Sequence, residues 1–166
     1  MELRKSIGIR KVVVFAYFLL LAGYLIVGFS PAPAEAAVYE ISAELKIPTI
    51  GLISDVTTLK LRDGKLDTPD AIVGSFSRAN NKTFLVGHAA TVFKNLKNLE
   101  VGNEIVYDNT TFVVQKTEIL AKAKISMNEL LRETETETLV VMTCSGEALP
   151  GGDATHRLII TATIKS

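Results

Sequence analysis

Apolar and polar residues trade places in short runs along most of this chain, and one long run stands apart. Positions 12–29 read VVVFAYFLLLAGYLIVGF, 18 residues without a charge. As a helix rising 1.5 Å per residue that run is roughly 27 Å long, about the thickness of a bilayer core. Beyond position 38 the runs are shorter and mostly of strand type. EISAELKIPTIGLISDV (40–56) mixes β-branched residues with alternation and is interrupted at Pro48 and Gly51. Pro48 predicts an edge or a bulge rather than a central ladder position. AIVGSF (71–76) and KTFLVGHA (82–89) are short apolar runs separated by the turn-rich SRANN. NEIVYDNTTFVVQKTEIL (103–120) predicts a hairpin with its turn centred on Asp108-Asn109-Thr110, because Asn tolerates the left-handed region. TLVVMTC and RLIITATI complete the strands. Two helical pieces interrupt them. VFKNL (92–96) predicts one turn, and SMNELLRET (126–134) starts with Ser126 and carries Glu129 three positions on, a capping box. The expected fold class is all-β, a barrel or sandwich with one or two short helices.

The flanks of the long run set its orientation. Arg4, Lys5, Arg10 and Lys11 precede it, and no basic residue follows until Lys46. That asymmetry leaves the N-terminus in the cytoplasm and carries the rest of the chain outside. The expected organisation is a basic cytoplasmic tail (1–11), a transmembrane signal anchor (12–29), a Pro/Ala linker SPAPAEAA (30–37) and an extracytoplasmic domain (38–166). A cleaved signal peptide is the competing reading, since Ala34-Glu35-Ala36 fits a small-x-small cleavage site. The apolar run is longer than the usual signal-peptide core, which favours the anchor. Both readings export the C-terminal part.

Charge and cysteine content narrow the function classes. The chain has 18 basic and 18 acidic residues; removing the four basic and two acidic ones of 1–37 leaves 14 and 16, a net charge of −2. No basic stripe appears, so nucleic-acid binding has no electrostatic support. The single cysteine, Cys144, excludes an internal disulfide. Outside the cytoplasm a lone thiol is exposed to oxidation, so keeping one needs a reason. The plain alternative is that Cys144 is a small buried hydrophobe.

Cys144 ends the apolar run TLVVMTC, and a nucleophilic thiolate needs a cation or base nearby. Two histidines are available. His88 directly follows an apolar strand, after Gly87, which permits close backbone approach; its plain reading is a satisfied, partly buried histidine. His156 ends a polar loop and reads as a solvated loop histidine. Arg157 opens the strand RLIITATI and is able to donate hydrogen bonds to a developing oxyanion; its plain reading is a strand-end surface arginine. Cys144, Asp153 and His156 are crowded enough to consider as metal ligands, but the chain lacks the CxxC or HxxxH spacing of a structural zinc site, so neither metal nor cofactor is expected. Glu133, Glu135 and Glu137 alternate with threonines, which suits an exposed approach to a strand.

Three ordered segments resemble the sortase family of membrane-anchored, extracytoplasmic cysteine transpeptidases. FLVGHAATVFKNLKNLEVGNEIVY resembles its histidine block, VVMTC its nucleophile strand and RLIITA its arginine strand. Val140-Val141 and Ala89 depart from the common family residues, and the chain has no tryptophan. The resemblance implies a closed β-barrel of about eight strands. It further implies Cys144 as nucleophile, His88 as general acid/base, Arg157 as oxyanion or substrate-positioning group, and Thr143 as a residue that helps shape the site. No cofactor is implied. The partners implied are secreted proteins with a C-terminal LPXTG-like sorting signal, an amine acceptor on a peptidoglycan precursor or pilin, and the membrane that holds the N-terminal helix. Three competing readings are an exported cysteine hydrolase, a non-catalytic exported β-domain and an L,D-transpeptidase. The last family carries its histidine two residues before the cysteine, where Met142 stands here.

Overall fold

The computed structural model describes residues 39–62, 65–66, 68–79, 81–130, 132–151 and 153–165. The expected cytoplasmic tail, anchor and linker lie outside the described residues. Among the described residues no helix is long and apolar enough to cross a membrane.

Eight strands close a barrel in the order β1-β2-β5-β6-β9-β10-β8-β7. In chain order the strands are β1 (Ile41–Ile47), β2 (Leu52–Thr58), β3 (Leu61–Arg62), β4 (Lys65–Leu66), β5 (Val73–Ala79), β6 (Lys82–Val86), β7 (Glu104–Tyr107), β8 (Thr110–Ala121), β9 (Thr138–Ala148) and β10 (Ala154–Ile164). The short β3 and β4 form a separate two-stranded sheet. Most neighbours are antiparallel, but β2–β5 and β6–β9 run parallel. Parallel neighbours require long crossovers. The segment between β2 and β5 and the long stretch from β6 to β9 supply them, and both carry the irregular structure of the domain.

Local sequence explains the joints. Pro48 is neither an edge-strand nor a bulge residue: it opens a 3-10 turn, Pro48–Ile50, that closes on Gly51 at φ +63° and folds β1 onto β2. A proline suits the first helical position because its missing N–H would have no partner there. The β7–β8 hairpin turns on Asp108 and Asn109, both at positive φ (47° and 63°), one residue tighter than the three-residue centre expected. Two consecutive left-handed residues match the right-handed twist of the flanking strands. Of the two expected helical pieces, the first is about the single turn expected and the second is shorter than its sequence predicts. The segment after His88 forms hydrogen-bonded turns and a 3-10 turn at Leu96–Asn98, and the expected 126–134 helix is one turn, Met127–Leu130.

The core explains why β6, β9 and β10 read as continuous apolar runs. Leu139 and Val141 of β9, Leu158 and Ile160 of β10 and Leu85 of β6 fill the barrel interior. Their alternate neighbours Phe84, Val86, Val140 and Ile159 are also buried, in a second cluster with Leu59. Successive side chains of a strand point to opposite faces, so these three strands are covered on both sides. The outer cover comes from Leu120, Ile125 and Leu130, near the end of β8 and in the segment after it.

Candidate active site

Strand register sets the site. On β9, Val140, Met142 and Cys144 share the outer face, opposite to Leu139, Val141 and the buried Thr143. Across the antiparallel pair, Cys144 stands opposite Arg157 and Met142 opposite Ile159. Residues directly opposite on antiparallel strands project to the same face, so the thiol and the guanidinium share one. On the other side of β9 the parallel register runs Phe84 to Val140, then Val86 to Met142, where β6 ends. The Thr143 hydroxyl then donates to the Gly87 carbonyl at 2.7 Å and carries the alignment one residue further. Continued at that register, His88 falls at the level of Cys144. The structure brings the three sequence-predicted residues to one end of three adjacent strands.

Gly87 is needed there for packing. A Cβ on it would lie 2.6 Å from Val92 and 2.8 Å from Phe93. The His88 carbonyl accepts the amides of Thr91 and Phe93, so the chain turns back at once over the barrel end. The ring stays partly open, with its side chain 42% exposed. Its Nε2 lies 3.3 Å from the Thr68 carbonyl and 3.6 Å from Asp70 Oδ1. A carbonyl only accepts, so this contact places a proton on Nε2 and leaves Nδ1 as the acceptor of the neutral ring.

Arg157 is more enclosed than His88, with its side chain 14% exposed. Its Nη1 donates to the carbonyls of Ala154 (3.0 Å) and His156 (2.9 Å), and its Nη2 to Asp153 Oδ1 (2.5 Å). Cys144 is half-buried and free. On the same outer face, beyond Cys144, lies a groove of about 330 Å³ whose apolar lining residues are Val140, Ile159, Leu120, Ile125 and Leu130; Cys144, His88 and Arg157 do not line it. Lys82, Lys116, Lys124, Glu118 and Glu129 edge it. Burial, and then the neighbouring charge of Arg132, lower the pKa of Lys82.

A family model for the sortase domain matches residues 45–165. The chain belongs to the sortase family. Sortase A from Corynebacterium diphtheriae superposes with a TM-score of 0.61 at 17% identity, over 79% of this chain and 63% of that one. The chain thus spans less than two thirds of that relative. The Sortase D5 transpeptidase of Clostridium perfringens gives 0.59 at 18% identity, over 76% of this chain and 80% of that one. Sortase E1 from Streptomyces coelicolor, solved with a tripeptide in its active site, gives 0.57 at 16% identity, over 76% and 89%. At such identities these likenesses show the sortase fold and no more. No curated protein gives a significant match. Sortases as a family are transpeptidases generally associated with the cell surface.

Within this sortase barrel some sequence expectations change. The stretch 145–156, read as one loop, is mostly strand: β9 runs to Ala148 and β10 begins at Ala154. The remaining loop closes with the Leu149 amide on the Asp153 carbonyl at 2.8 Å. His156 accordingly lies in β10, half-buried, opposite Ser145 and Ala121, with Nδ1 2.9 Å from the Thr155 hydroxyl. Asp153, weighed as a metal ligand, instead meets Arg157 and Lys122. Ala71 and Ile72 of the apolar run 71–76 border a hollow with Leu52 and Thr91, separate from the groove that Val140 and Ile159 line. The Thr68–Asp70 contacts to His88 and the clasp on Arg157 join residues with no telling spacing in the sequence.

Proposed function

We propose that this sortase is held in the membrane by its 12–29 segment, with its barrel outside the cell. There it cleaves an LPXTG-like signal between Thr and Gly. Cys144 first passes its thiol proton to His88 Nδ1; the thiolate then attacks the threonine carbonyl carbon, forming the S–C bond as the C=O π pair moves to oxygen. Arg157 donates to that oxyanion. As it collapses, the C–N bond breaks and the leaving glycine amine takes a proton from His88. A second amine, on a cell-wall precursor or a pilin lysine, attacks the thioester, gives its proton to His88 and releases the thiolate. Splitting one amide exchange into two acyl transfers lowers each barrier. Thr143 contributes by tying the backbone before His88 to β9 rather than by meeting substrate.

The observation that carries this reading is the register alignment of Cys144 with Arg157 and of the His88 segment with both. The groove supports the substrate class. Four strand steps lead from Val140 to Cys144, roughly 13 Å at 3.3 Å each, the reach of four extended peptide residues. Its five apolar lining residues suit a leucine and a proline at the far end, and charged side chains edge them. Tethering beside membrane-retained substrates raises the effective concentration of both partners.

The test is turnover of an LPXTG peptide by the full chain in detergent, with and without glycine-based or diaminopimelate-like amines. A product that needs the amine and Cys144 is expected. Product released to water at the same rate without amine identifies a hydrolase, and equal turnover by Cys144→Ala ends the proposal.

A further inference from the structure

We infer that Asp153 is a positioning residue for acyl transfer, holding the Arg157 guanidinium in place while Lys122 balances its charge; this rests on the oxyanion role proposed for Arg157. An arginine side chain is long and rotamer-rich, so an oxyanion donor of this kind needs external restraint. Asp153 supplies it from three directions. Its Oδ1 accepts Arg157 Nη2 at 2.5 Å and the Ala154 amide at 2.8 Å, and its Oδ2 accepts Lys122 Nζ. Its own carbonyl closes the loop by accepting the Leu149 amide. One side chain therefore ties the end of β8 and the start of β10 together, while its backbone closes the β9–β10 loop.

Donor accounting shows what the clasp leaves free. A guanidinium has five N–H groups. Two on Nη1 go to Ala154 and His156 and one on Nη2 goes to Asp153. Among the described residues the Nε–H and the second Nη2 proton have no partner and are the donors left for an oxyanion. The charge is also arranged. Asp153 alone would neutralise Arg157, but Lys122 on the other carboxylate oxygen leaves the three groups with a net single positive charge. A developing oxyanion therefore still meets a cationic cluster.

The test uses full-length protein in detergent, with Asp153→Asn, Asp153→Glu and Lys122→Met, each also made in Arg157→Ala, and each melted to confirm folding. In the peptide and amine assay, Asp153→Asn should lower kcat by roughly 10- to 100-fold with KM little changed. Asp153→Glu should recover part of the loss. In Arg157→Ala the same change should cost less than about twofold, because the residue acts through the arginine. Alkylation of Cys144 by iodoacetamide builds no oxyanion and should not respond. Equal losses in both backgrounds, or an unchanged kcat in Asp153→Asn, overturn the inference while the proposed function stands. Independently of turnover, nitrogen NMR should show slowed rotation of the Arg157 guanidinium that Asp153→Asn releases. Free rotation in the unmodified protein overturns the clasp whatever the peptide. A wild type with no turnover on any sorting peptide removes the proposed function and the catalytic part of this inference together.

Discussion

Thr143 and Asp153 tie the segments that carry His88 and Arg157 to their neighbours by single side-chain hydrogen bonds. The Thr143 hydroxyl is buried and its proton goes to Gly87 O. Thr143→Val keeps the shape and strands that carbonyl, so it should cost about 1–3 kcal/mol in urea unfolding. It should also lower kcat by loosening the chain at His88; full stability with full activity would contradict this account. Asp153 has a different signature. The hydrogen bond from Lys122 first, then the Ala154 amide and Arg157, hold its carboxyl well below the usual carboxylate range. A depressed folded value stabilises above the unfolded pKa, and that contribution fades only as pH falls through the folded one. The clasp should therefore stay ionised at about pH 4, where free carboxylates are half protonated. Carbon NMR of the Asp153 carboxyl checks this, and a midpoint near 4 would count against it.

At the scale of elements, legibility depended on how local the cause was. The β7–β8 turn was readable because Asp-Asn carries its own reason for two positive φ values. Asn109→Val, a β-branched residue forced into the left-handed region, should destabilise by about 1–2 kcal/mol, whereas Asn109→Gly should be neutral or better. Thermal melts of both variants decide it. The 126–134 helix was legible in its start and not in its length. Its capping box marks Ser126, yet one turn cannot sustain itself, and it persists where Ile125 and Leu130 cover the outer cluster. Pro48 was legible as an interruption, but whether it sits at an edge or makes a turn depends on where the next strand folds back.

For the whole molecule, barrel closure is uneven. The β9–β10 ladder extends from Ala154–Ala148 to Thr163–Thr138, whereas β1 and β7 pair at Leu45–Tyr107 and Lys46–Val106. Hydrogen exchange should show the β1–β7 seam opening at lower free energy than β9–β10. Uniform protection around the barrel would refute that. The end that carries Cys144 and Arg157 thus rests on one of the two long ladders of β10. By itself the sequence determined the all-β class, most strand positions and the three segments that mark the family, because alternation, turn residues and short motifs act over a few residues. Only the tertiary structure decided that Cys144 opposes Arg157, that the outer face of β6, β9 and β10 is a groove, and that Asp153 holds the arginine. Those are pairings between distant segments, and register follows from how the barrel closes rather than from any local preference.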